Sequence, residues 1–90
     1  GAIAAHPDKL GIGIDEDTCA LFEGDGLLQV LGRGTITIID PRDLSYTNYP
    51  HIEGSAPLSL HDLRVHILCE GDRYNLSKRE TIPPDRLLSR

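Results

Sequence analysis

The sequence predicts a mostly β chain, a short covered strand followed by β-hairpins, on three observations. Gly11-Ile12-Gly13-Ile14 is an apolar run too short for a helix and without polar alternation, which suits a strand covered on both faces. Later segments alternate apolar and polar residues with period two, and Gly-containing turn signals separate them at short spacing. The chain is organised around Leu10 to Thr18, where the apolar run breaks into three consecutive acids, Asp15, Glu16 and Asp17. A strand ending in this way delivers carboxylates to a rim, where open sheets place their chemistry.

The elements then follow in order. Gly1-Ala-Ile-Ala-Ala-His6-Pro7 reads as the last turns of a helix stopped at the proline, with His6 as a helix-end residue. That opening, in a chain without methionine, predicts a fragment whose upstream part carried the helix. Strands are expected at Gly11–Ile14, Thr18–Glu23, Leu27–Leu31 and Thr35–Ile39, joined by hairpin connections at Gly24-Asp25-Gly26 and Gly32-Arg33-Gly34. The Gly-x-Gly pairs never extend to Gly-x-Gly-x-x-Gly before a helix, so they read as turn glycines rather than a phosphate cradle.

Residues 44–57 form a long polar loop in which Tyr46 and Tyr49 are expected to pin the segment against the sheet, although rings in such a loop can also serve a ligand or partner. The next strand, Leu63–Cys69, places Leu63, Val65, Ile67 and Cys69 on one face, Arg64 and His66 on the other. His61 and His66 lie five apart and so on opposite faces, which argues against a metal pair. Glu70-Gly71-Asp72 is a turn, Asp72–Leu76 a short edge segment, and residues 81–90 a tail. Asn75-Leu76-Ser77 matches a glycosylation acceptor, a triplet too common by chance to carry weight.

Composition narrows the function. Ninety residues make one small domain at most, of a size that buries about 60% of its unfolded surface. The net charge is −5, and residues 1–60 hold nine acids against three Lys or Arg. Such a surface repels a phosphate backbone, so no nucleic-acid partner is expected. No run reaches the ~20 apolar residues of a membrane span, so none is expected to cross a bilayer. Cys19 and Cys69 are too few for a disulfide framework and read as small buried hydrophobes.

A hydrolase with an activated Ser or Cys needs a nucleophile, a base and an orienting carboxylate. This chain offers only the third, because Ser45, Ser55, Ser59, Ser77 and Ser89 sit in loops or near the end and none lies in a Gly-x-Ser-x-Gly turn. The triplet Asp15, Glu16, Asp17 admits three explanations: solvated turn residues, an acid that orients a histidine on another segment, or a metal loop using Asp15 and Asp17. An EF-hand would need a third oxygen ligand where Cys19 stands and a glycine where Ala20 stands, so metal ranks last and no cofactor is expected.

A resemblance changes that ranking. His6 to Thr18, the Glu23-Gly24-Asp25 turn, Val30-Leu31-Gly32-Arg33-Gly34, Tyr46-Thr47-Asn48, Leu58-Ser59-Leu60, Leu63 to Leu68 and Gly71-Asp72-Arg73 together resemble the C-terminal third of cyanophycinases. The likeness covers roughly residues 1 to 80, in the family's order. It implies a serine-type exopeptidase related to dipeptidase E, with the three-layer α/β fold of class I glutamine amidotransferases. Such enzymes cut cyanophycin, a poly-aspartate chain bearing arginine side groups, into β-aspartyl-arginine dipeptides.

The resemblance places the family's nucleophilic Ser, its His and an Arg-rich recognition segment upstream of residue 1. The implied partner is therefore the N-terminal part of the same enzyme, with cyanophycin or β-aspartyl peptides as substrate, a homodimer as assembly and the cytoplasm as location. Only the acid after the Gly-Ile-Gly-Ile strand carries over, onto Glu16, with Asp15 as the neighbouring alternative. Residues 1–90 are then the C-terminal part of one peptidase domain, lacking nucleophile and base. The alternative function is a non-catalytic β-rich interaction module that uses the Tyr46 and Tyr49 loop.

Overall fold

One bent ribbon dominates the fold of this computed structural model, which describes residues 9–49, 54 and 56–84. Strand β1 (Gly11–Ile14) pairs antiparallel with β4 (Ile36–Asp40), and β2 (Thr18–Glu23) pairs antiparallel with β3 (Leu27–Gly32). Ile14 faces Ile36 on one side of the break and Thr18 faces Gly32 on the other. Asp15–Asp17 and Arg33–Thr35 therefore take up equal lengths of chain, and the hairpin turns its corner without a bulge. Backbone bonds from Asp15 N–H to the Thr35 carbonyl (3.1 Å) and from Arg33 N–H to the Asp17 carbonyl (3.0 Å) carry the ladder through it.

The predicted turn at Gly24-Asp25-Gly26 closes the ribbon, with Gly26 at φ 77°. Gly32-Arg33-Gly34, by contrast, is not a hairpin connection. It passes from one sheet to another, because β4 takes β1 and not β3 as its partner.

The remaining strands are β5 (Tyr46–Thr47), β6 (Leu60–His61), β7 (Arg64–Leu68), β8 (Arg73–Asn75) and β9 (Glu80–Ile82). They complete a three-stranded sheet β1-β4-β7, a four-stranded sheet β2-β3-β8-β9 and the small pair β5-β6, all antiparallel. The two larger sheets share one core: Leu28 and Val30 from β3, Ile36 and Ile38 from β4, Leu68 from β7 and Tyr74 from β8. Each fully buried aliphatic chain in it is worth roughly 1.5–3 kcal/mol.

Asp40 is buried with this core at the end of β4. Its carboxylate caps a 3-10 turn over Pro41–Asp43, accepting the Arg42 N–H at 3.0 Å, and also takes Arg42 Nε at 2.7 Å. That turn is the sole helical piece among the described residues; the helical layers of the expected α/β architecture have no counterpart in them.

Several expectations are corrected. β1 is not covered on both faces: it lies at the edge of its sheet, with Ile12 40% and Ile14 50% exposed. In β7 the apolar face points outward, with Val65 50% and Ile67 68% exposed, whereas Leu68 is buried and His66 half-buried. The register explains it, because Leu68 and His66 pair with the buried Ile36 and Ile38, and directly paired residues share a face.

Cys19 and Cys69 are exposed rather than buried. Tyr46 and Tyr49 do not pin their loop to the sheet; both are exposed, and the Tyr46 ring stands edge-to-face with that of His61 (centroids 5.2 Å). Residues 44–57 contain β5, and the expected tail begins as β9 instead, since Tyr74 pairs with Thr81 and Arg73 with Ile82. The expected helix end with His6 lies outside the described residues.

Candidate functional site

The corner of the ribbon carries the three acids, and each has a different surrounding. Asp15 Oδ2 accepts both the backbone N–H and the hydroxyl of Thr35, each at 2.9 Å. These two donors, the N–H first, hold the Asp15 carboxyl below its ordinary range. Asp17 takes the left-handed conformation at φ 56°, which Asp tolerates better than most residues, and its carbonyl receives Arg33. Glu16 stands between them, exposed, with no partner for its carboxylate among the described residues.

The backbone beneath Glu16 is fixed. The Thr18 hydroxyl donates to the Glu16 carbonyl at 3.0 Å and accepts the Gly34 N–H at 2.9 Å. Gly34 lies so close that a Cβ there would come within 2.6 Å of Thr18 Oγ1 and 2.7 Å of Asp15 Cβ. A Cβ on Gly32, at φ 118°, would stand 2.3 Å from the Asp17 carbonyl oxygen. The second strand of the corner is thus a glycine seat on which the acid turn rests. From behind, Glu70 Oε1 accepts the Gly32 N–H at 2.8 Å.

Of the two acids singled out in the sequence, Asp15 is engaged by Thr35, and the Glu16 carboxylate is exposed. Among the described residues no three His, Cys, Asp or Glu side chains stand together as a metal would need. No helix of the described residues is long and apolar enough to cross a membrane.

Sequence reasoning missed two features here. Glu70, 38 residues from Gly32, carried only a turn signal. Ser59 and His61 also meet, Oγ to Nε2 at 2.9 Å, two residues apart. This is a Ser–His contact without a described carboxylate on the other ring nitrogen, so nothing sets the tautomer that a base requires. Ser45 is likewise spoken for, its hydroxyl bonding to Asp62.

The chain is 69% identical over 75 residues to a cyanophycinase of Synechococcus elongatus, covering 83% of this chain and 23% of that protein. It is 61% identical over 82 residues to one of Trichormus variabilis (91% and 28%) and 55% identical over 74 residues to one of Geminocystis herdmanii (82% and 27%). By sequence this chain is similar to part of the cyanophycinases. No family model matches it. The chain spans about a quarter of the length of the cyanophycinases it matches.

Proposed function

We propose that this chain is part of a cyanophycin-hydrolysing, serine-type exopeptidase and supplies Glu16 as the acid that orients the catalytic His. The remaining polypeptide, three quarters of the length of the relatives, brings the Ser and the His. In the reaction the Ser hydroxyl attacks the peptide carbonyl and passes its proton to the His. Glu16 accepts a hydrogen bond from the other ring nitrogen and stabilises the imidazolium as it forms. Hydrolysis then releases β-aspartyl-arginine dipeptides.

The observation that carries this reading is the Glu16 carboxylate itself, exposed and unpartnered on a braced backbone, two residues beyond the open edge strand. A solvated turn acid needs no such bracing. The outward face of the β1-β4-β7 sheet supports the reading further. Gly11, Gly13, Ile39, Val65 and Ile67 share that face, and its exposed apolar chains suit the helical layer of an amidotransferase-like α/β fold. The rest of the protein would cover it, in a cytoplasmic enzyme that assembles as a homodimer.

Glu16→Ala in the full-length protein tests the assignment. The variant is expected to fold as the unmodified protein does and to lose turnover of cyanophycin by about 10⁴-fold, the scale of losing an orienting acid. Near-normal turnover refutes it.

A further inference from the structure

The corner offers more than a place for one carboxylate. Five hydrogen bonds surround Glu16, and none of them involves its side chain. Two run from Thr35 to Asp15, two meet at the Thr18 hydroxyl, and one ties Gly32 to Glu70. An exposed turn between strands normally samples several backbone conformations, and ordering each residue costs about 1–2 kcal/mol. Here the turn is stitched to the facing strand on both sides of Glu16, whose side chain is left open.

We propose that Asp15, Thr35 and Thr18 form a latch that positions Glu16, so that these residues determine the rate of the reaction without touching substrate. This rests on the assignment of Glu16 as the orienting acid. Asp15 Oδ2 clamps Thr35 through backbone and hydroxyl together, fixing the residue before Glu16. The Thr18 hydroxyl holds the Glu16 carbonyl and Gly34 at once, fixing the residue's own peptide and its distance from the seat. Asp15 is thus a positioning residue, not a second candidate for the acid. An acid that must meet an imidazole within hydrogen-bond distance gains from such preorganisation, because a displacement of about 1 Å can cost 100-fold in rate.

The test uses the full-length protein and the Thr35→Val and Thr35→Ser pair, with Thr18→Val and Thr18→Ser as a second pair. Valine keeps the shape of threonine and removes the hydroxyl; serine keeps the hydroxyl. For each valine variant kcat on cyanophycin is expected to fall by about 10- to 100-fold with KM within twofold, since the latch does not touch substrate. Each serine variant should restore kcat to within about threefold of the unmodified protein. Thr37→Val, on the outward face of β4, should leave kcat unchanged.

Valine variants that fold and turn over normally, while Glu16→Ala is inactive, overturn the latch and leave the acid assignment standing. Serine variants as slow as valine also overturn it. An active Glu16→Ala overturns the assignment and the latch with it. Should one valine variant fail to fold, the other threonine pair decides.

Discussion

Asp40 holds Arg79 across 39 residues of chain, Oδ1 to a guanidinium nitrogen at 3.1 Å, and so fastens the end of β4 to the turn between β8 and β9. Arg42 closes the group: its Nε lies 2.7 Å from the other carboxylate oxygen, and its terminal nitrogen donates to the Arg79 carbonyl at 2.8 Å. The carboxylate has no exposed surface, whereas both arginines reach water. The two large sheets are therefore joined at this end by a single buried negative charge as well as by their shared core.

Stability should depend on that charge. Burial pushes the Asp40 carboxyl up, but hydrogen bonds from the Arg42 side chain and backbone, with the charges of Arg42 and Arg79, outweigh it and hold the group below its ordinary value. A depressed folded value means that the stabilisation is complete above the usual carboxylate range, near pH 4, and is lost as pH falls through the folded value. Asp40→Asn is expected to cost about 1–3 kcal/mol at pH 7 and to flatten the acid limb of the stability curve. Denaturant unfolding across a pH series checks both.

The glycine seat predicts a second loss of stability. In Gly34→Ala the new methyl meets Thr18 Oγ1 and Asp15 Cβ, and overpacking of this kind costs about 1–3 kcal/mol. Gly32→Ala should be worse, because its methyl meets backbone, the Asp17 carbonyl oxygen and Thr18 Cα, at a φ that alanine resists. Thermal unfolding of the two variants should rank them in that order. Equal, near-zero shifts would show that the turn moves aside freely.

The outward sheet face predicts a difference between burial and exposure. Ile67 is 68% exposed here, and a lysine in its place should change stability by no more than about 0.5 kcal/mol if water remains its neighbour. In the full-length protein, with the face covered as proposed, Ile67→Lys instead buries a charge and should cost several kcal/mol or abolish expression. Unfolding of that full-length variant separates the two cases.

Much of the ribbon was legible in the sequence. The bounds of β1 and β2 follow from the apolar run, the acid triplet and the Gly24-Asp25-Gly26 turn. The site was legible as three acids at a strand end, but not which of them the fold would occupy, because Thr35 and Gly34 are brought to Asp15 by the bend. A period-two pattern says which side chains share a face and not which face is inner. Val65 and Ile67 were therefore grouped correctly, while their exposure depended on what β4 placed opposite them.

Asp40 illustrates the remaining gap. Asp-Pro after an apolar strand reads as a strand terminator, and its two cations only become visible when residue 79 is folded back. The two-residue strands β5 and β6 and the late β9 carry too few side chains to show a period at all.

The unbroken pairing through the bend also bears on how such a sequence can vary. With Ile14 opposite Ile36 and Thr18 opposite Gly32, three residues on one side match three on the other. An insertion on one side alone would tilt the acid turn off its seat or shift every partner beyond it to the opposite face. Length changes at this bend are tolerable only as matched pairs, so related chains should keep both three-residue spans or alter the two together.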